Sequence, residues 1–285
     1  MIVSLSDIRT DRAGFAAIGM LASQLQNRRN EDVQIDCTNL NWMDANMASA
    51  LGGLISLQSL NGLKFTFINL KQQIATILSK NGFLQNTAID IHKTTIKYTT
   101  FDLSNAILFS EYTEQYLNTP NIPLMTDSVK VKFFEGLDEI FGNCAIHSQS
   151  PRGIHACGQI YPHKHSIVFT ITDVGIGIPT LVRRQLNRDL SDETCIHLAM
   201  QEGFTTRSLD VPGGLGLKIV KQFVEKNGGK LIVVSQNGYW ELSSQGLTAS
   251  PILYPYPGTS VSIEIRTDDT NVYDMDEHID LQSLF

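Results

Sequence analysis

Glu139, Asn143 and His147 stand four residues apart in a largely apolar run, Val131 to Ser148, with Phe133, Phe134, Leu137, Ile140, Phe141 and Ala145 around them. Side chains at that spacing stack in one row on one helix face. Polar groups on an otherwise buried helix need a reason to be there. The amide oxygen of Asn143 is a hard, neutral ligand of the kind that suits Mg²⁺, an ion that keeps several of its waters. One turn earlier, the Glu139 carboxylate is placed to take a proton from a water or a substrate hydroxyl. His147 suits either a phosphate contact or an interaction with the helix C-terminal dipole.

A second group follows the β-rich run Ile167 to Thr172, which delivers Asp173 at its end. A carboxylate there can accept a hydrogen bond from an adenine amino group, and it would face the guanine carbonyl with the wrong polarity. Gly175 and Gly177 free the backbone to turn and let a purine approach. Ile178 belongs with them among the expected nucleotide contacts, and Pro179 ends the turn. The third group, Gly213-Gly214-Leu215-Gly216-Leu217, opens a helix over Leu217 to Lys226 that closes at Asn227-Gly228-Gly229. A glycine-rich turn feeding a helix N-terminus aims backbone N–H groups and the helix dipole at anions. Lys218 adds charge at that start. Thr206 and Arg207 lie in the long connection from Thr180 to Val211, a length typical of lids. Gly258-Thr259, ahead of the strand Ser260 to Ile265, places a hydroxyl near the base. The three groups in this order predict one site for ATP with a divalent metal.

The elements that must carry these residues fall into two halves. The first half alternates: helix over Ala13 to Arg28, strand Val33 to Cys37, helix Asp44 to Leu60 with Asp44 as N-cap, strand Leu63 to Ile68, helix Gln72 to Ser79. Strands separated by helices predict a small sheet with parallel neighbours under helical cover. Asn86 to Asp102 is β-like and Leu103 to Leu117 helical, with a breaker cluster at Asn118-Thr-Pro120-Asn-Ile-Pro123. The predicted organisation is a domain over 1–85, a connecting strand and helix over 86–125, a nucleotide-binding domain over 126–268 and an acidic tail over 269–285, solvated by default.

Composition narrows the function classes. A hydrophobic fraction of 42% against 18% charged residues is that of a globular protein with a real core. A net charge of −7, with Arg28-Arg29 and Arg183-Arg184 as isolated basic pairs, argues against a nucleic-acid partner. The N-terminal residues lack a basic-then-apolar leader, and the apolar run Ala13 to Ala22 is too short to span a bilayer. Cys37, Cys144, Cys157 and Cys195 are widely spaced, as suits reduced thiols. Together these predict a cytoplasmic protein without a membrane span. His155-Ala-Cys157 and His163-Lys-His165 match no zinc spacing and read as a hairpin with exposed histidines. A Gly-x-Gly-x-x-Gly dinucleotide unit is missing, and so is the long helical hairpin of a sensor histidine kinase.

Two resemblances extend this reading. Val33-Gln-Ile-Asp-Cys-Thr-Asn-Leu, Trp42-Met43-Asp44 with the helix after it, Phe65-Thr-Phe-Ile-Asn69, Ile77-Leu78 and Gly82-Phe83 resemble the sulfate-transporter and anti-sigma-antagonist (STAS) fold. In phosphorylated members a serine follows the Asp at the start of that helix; here Ala45-Asn46 follow Asp44, and the nearest hydroxyl, Ser49, lies about one turn further on. Residues from about 126 to 267 resemble the ATP-binding domain of the gyrase, heat-shock chaperone, histidine kinase and MutL superfamily (GHKL), the Bergerat fold. The Glu139, Asn143, His147 row is most similar to the anti-sigma-factor serine kinases. The resemblance implies that Asn143 holds Mg²⁺, Glu139 is the base, Asp173 reads adenine, and Gly175, Gly177, Gly214 and Gly216 shape the pocket. The expected fold is α/β (α+β), a STAS-like βα domain followed by a Bergerat α/β sandwich. The expected function is an ATP-dependent switch, with slow hydrolysis or serine/threonine phosphotransfer acting on a protein partner, and a homodimer within its compass. The rival is a non-catalytic, ATP-gated interaction module with the first domain as docking surface.

Overall fold

Apolar residues largely alternate with Ser and Thr along the strand Ser166–Asp173, yet every residue of that strand is buried, so both faces of its sheet are covered. The computed structural model describes the chain except residues 86, 87, 119–121, 123, 124, 202–214 and 274–285, with residues 215–217 described in backbone only. The first unit has parallel strands β1 (Ile2–Ser4), β2 (Asp32–Asp36) and β3 (Lys64–Ile68) in the order β1-β2-β3. Helices α1 (Arg12–Leu25), α2 (Ala48–Ser59) and α3 (Gln72–Lys80) connect and cover them, and a 3-10 turn over Ala45–Met47 leads into α2. The Asp11 carboxylate caps α1 by accepting the Gly14 N–H at 2.8 Å. Asp44 stands at the head of the 3-10 turn but makes no cap bond. Its carboxylate instead accepts from the Thr10 N–H at 2.7 Å and the Trp42 indole N–H at 2.8 Å, because these donors are brought to it by the chain packed alongside.

The second sheet has the order β4-β5-β6-β8-β7, all antiparallel, from β4 (Thr95–Phe101), β5 (Ile154–Tyr161), β6 (Ser166–Asp173), β7 (Lys230–Ser243) and β8 (Gly246–Arg266). Thus β4, from the stretch expected to connect the two halves, is an edge strand of this sheet. The helix after it, α4 (Ala106–Leu117), packs Phe109, Tyr112 and Leu117 into the same core. One face carries α4, α5 (Asp127–His147), α7 (Asp192–Ala199) and α8 (Leu215–Asn227) over Phe169, Ile171, Leu231, Val233, Val261 and Ile263. The other face takes the first unit: Ile232, Val234, Tyr239, Ile252 and Tyr256 share a core with Phe15, Ile18, Leu51 and Leu54. The layers run α, five-stranded sheet, α1 with α2, three-stranded sheet.

Two features depart from the expectations. Strands β7 and β8 extend far beyond Leu231–Val234 and Ser260–Ile265 as a long hairpin closed by Ser244-Gln245, with register shifts at Gln236. Helix α1 lies on β8 so closely that a Cβ on Gly19 would come within 2.3 Å of the Tyr254 carbonyl oxygen. The start of the expected acidic tail also folds back: Tyr273 is buried against Phe223 with ring centroids 5.2 Å apart, and the Asp269 carboxylate accepts from Asn227 at 3.1 Å. A large aromatic ring outweighs the charge around it. Residues 274–285 of that tail lie outside the described residues. No described helix is long and apolar enough to cross a membrane.

Candidate functional site

Helix α5 is capped by Thr126, whose hydroxyl accepts the Val129 N–H at 3.5 Å. Val129, Phe133, Leu137, Ile140, Phe141 and Cys144 point into the core, with Phe133 against Phe223 of α8 at 5.0 Å. That orientation leaves Glu139, Asn143 and His147 half-buried in a row, and each makes at least one polar interaction. Beside Asn143, a Cβ added to Gly142 would meet nothing within 4 Å among the described residues.

The end of α5 is tied to the turn after β6. The Ser148 carbonyl accepts the Ile176 N–H at 2.8 Å, and the Ser150 hydroxyl accepts the Val174 N–H at 3.2 Å. Gly175 sits so close that a Cβ would fall 1.9 Å from the Ser148 carbonyl oxygen. Any side chain there would separate the turn from α5. Gly177 has φ +77° and leads into α6 (Ile178–Leu186), whose first amide, Ile178 N–H, donates to the Ser235 hydroxyl at 2.9 Å. That hydroxyl also lies 3.0 Å from Thr259 Oγ1. Gln236 closes the turn from the other side, donating to the Ile176 carbonyl at 2.9 Å and to Thr180 Oγ1 at 2.6 Å.

Asp173 is at the centre, with 2% of its surface exposed, and is paired in register with Thr259. Burial pushes its carboxyl up to about 6 from an ordinary 3.8. Three donors partly offset that rise: the Gly175 N–H at 2.9 Å, the Cys144 thiol and the Thr259 backbone N–H. The same burial pushes the Cys144 thiol well above its usual range, so it stays a donor. A buried carboxylate ringed by donors holds charge ready for one more, and an exocyclic amine on a flat heterocycle is of that type.

The structure thus brings Asp173, Gly175, Gly177, Ile178 and Thr259 together at the turn after β6, tied to α5 through Cys144 and Ser148, while Glu139, Asn143 and His147 lie in one row along α5. Thr206, Arg207, Gly213 and Gly214 lie outside the described residues. Leu215, Gly216 and Leu217 open α8 in backbone, and Lys218 follows them, half-buried and with a polar interaction of its own. Sequence reasoning missed Cys144, Ser148, Ser150, Ser235 and Gln236. Only Ser235 left a trace, as the hydroxyl ending the apolar run Leu231 to Val234. The others act through backbone or through contacts distant in sequence. His155 corrects another expectation: β5 and β6 do form a hairpin, with His163 and His165 exposed at its turn, but His155 is buried. It lies 2.9 Å from the Tyr98 hydroxyl, and burial pushes its pKa down from 6.5 to about 4. Among the described residues, no group of three or more His, Cys, Asp or Glu could hold a metal. On α5 the donor set is one amide oxygen with a carboxylate one turn away. That set fits Mg²⁺ held mainly by water and substrate phosphates, not a protein-only metal cage.

Residues 129–272 match the family described as "Histidine kinase-, DNA gyrase B-, and HSP90-like ATPase". No curated protein matches the chain.

Proposed function

We propose, on the premise that the chain belongs to the histidine kinase-, DNA gyrase B- and HSP90-like ATPase family, that it is an ATP- and Mg²⁺-dependent regulatory switch acting on a protein partner by slow hydrolysis or phosphotransfer to a serine or threonine hydroxyl. The observation that carries this is the half-buried row of Glu139 and Asn143 on the helix whose Cys144 thiol meets the buried Asp173 carboxylate. In this reading Asp173 accepts from the adenine amino group, and Thr259 flanks the base. The α8 start, with Gly213 to Lys218, takes the phosphates together with Thr206 and Arg207. Asn143 would hold Mg²⁺, which supplies charge neutralisation to the phosphates. Glu139 takes the proton of the attacking hydroxyl while that oxygen bonds to the γ-phosphorus and the bond to the β-phosphate oxygen breaks.

The first unit is read as a STAS-like domain that has lost its phosphoacceptor and works by shape. Ser49, the hydroxyl nearest Asp44 along the sequence, has no exposed surface, which supports that reading. A cytoplasmic setting belongs to the same proposal.

The test divides the roles on α5. Glu139→Gln keeps size and removes the base, so ATP binding should persist while turnover falls by about a hundredfold or more. Asn143→Ala should weaken Mg²⁺-dependent ATP binding itself. Calorimetry paired with a phosphate-release assay reads both. Turnover by Glu139→Gln equal to wild type would remove the catalytic reading and leave an ATP-gated binding module.

A further inference from the structure

Asp173 and Thr259 face each other across β6 and β8, and Thr172 and Ser260 form the adjacent pair. Successive strand residues point to opposite faces, so Thr172 and Ser260 turn toward the first unit while Asp173 turns toward α5. The Thr172 hydroxyl is 2.9 Å from that of Ser260 and 3.1 Å from that of Ser49 on α2. All three residues are fully buried. One turn along α2, a Cβ on Gly53 would lie 3.1 Å from Val174 Cγ1 and 3.4 Å from Thr172 Cγ2. The helix therefore touches the residue on each side of Asp173. Parallel anchors repeat the pattern: Asn46 donates to Thr170 at 2.9 Å, Thr170 meets Ser262 at 2.9 Å, and the Tyr256 hydroxyl donates to the Ala50 carbonyl at 3.1 Å.

We propose that α2 positions the nucleotide-reading pair: Ser49 through Thr172 and Ser260, and Gly53 through Val174, hold Asp173 and Thr259 in the placement the purine edge requires. This rests on the reading of Asp173 and Thr259 as the adenine contacts. Hydroxyl chains suit the task because they are directional, whereas apolar side chains in the same place could slide. Glycine within a helix weakens it relative to alanine, and Gly53 has no positive φ to justify it. What it gains is close approach to the strand. The first unit is thereby a back wall of the nucleotide pocket, and a ligand on either side of the sheet changes affinity on the other by the same factor.

The test uses the full chain: wild type, Ser49→Ala, Thr172→Val, their double variant and Gly53→Ala. ATP and GTP affinities are measured by calorimetry with Mg²⁺, and folding by urea titration. Ser49→Ala and Thr172→Val should each bind ATP about three- to tenfold more weakly, the worth of one buried hydrogen bond, with the ATP-over-GTP ratio falling alongside. The double variant should lose less than the product of the singles, since both cut one chain. Gly53→Ala should lose the ratio without losing urea resistance, because alanine favours the helix. A purely structural role would move only the urea midpoint. Folded variants with wild-type ATP affinity and ratio overturn the inference and leave the functional reading standing. A wild type that binds no ATP removes both.

Discussion

Asp173→Asn separates what the buried carboxylate costs the fold from what it does for the nucleotide. Burial raises the Asp173 carboxyl from 3.8 to about 6 in the folded protein. The folded state therefore holds the proton more tightly than the unfolded chain. Its stabilising effect is fully present below pH 3.8 and is lost as pH rises through about 6. The difference is about two pKa units, or roughly 3 kcal/mol of folding free energy forgone at pH 7.5. Asparagine is neutral at every pH and its Oδ1 can still accept the Gly175 N–H. The variant should therefore be up to about 3 kcal/mol more stable than wild type at pH 7.5, and nearly equal to it at pH 3.5. It should meanwhile lose ATP. An adenine amino group favours the ionised carboxylate, so wild-type affinity should fall about tenfold between pH 7 and pH 5. The terminal phosphate of ATP titrates nearby, and Asp173→Asn provides the reference that carries only that contribution. Urea titration and calorimetry across pH give both quantities. If Asp173→Asn is no more stable than wild type at pH 7.5, the desolvation argument fails. If it binds ATP with wild-type affinity and pH dependence, Asp173 does not read the base.

His155 gives the opposite pH effect. Its folded pKa is lowered to about 4 from 6.5, so the unfolded chain takes up the proton first, and stability falls by roughly 3 kcal/mol as pH drops from 6.5 to 4. A His155→Gln variant should lose that slope in urea titrations at stepped pH; an unchanged slope refutes the assignment. Incubation with labelled ATP and peptide mapping should place no phosphate between Asp44 and Ser49, and stoichiometric phosphoserine at Ser49 would contradict the burial described here. Gly175→Ala forces a Cβ to within 1.9 Å of the Ser148 carbonyl oxygen, so thermal unfolding should report a loss of about 2–3 kcal/mol and ATP affinity should fall with it. A variant with unchanged melting and binding would show that the turn can part from α5 freely. Calorimetry should find ATP bound in preference to GTP, and equal affinities would refute the polarity argument at Asp173.

What the sequence determined by itself was local. The apolar register of α5 orients its core-facing residues and so leaves Glu139, Asn143 and His147 half-buried in one row, because a helix repeats every 3.6 residues whatever surrounds it. The β-rich run before Asp173 and the glycines after it likewise fix a strand and a turn from near neighbours alone. The alternation of strands and helices in the first half gave its parallel sheet, and β5 with β6 their hairpin. Only the tertiary structure decided which faces meet. Nothing within a few residues of Thr172, Ser49 or Gly53 reveals that they touch, since the contact joins positions more than a hundred residues apart. The same holds for β4 at the sheet edge, for the β7–β8 hairpin beside α1, and for His155, polar in sequence yet buried because α2 covers its strand. Alternating Thr and Ser on β6 and β8 would suit a solvated face equally well. The first unit makes that face an interior one, where each hydroxyl needs a partner and finds it across the sheet or on α2.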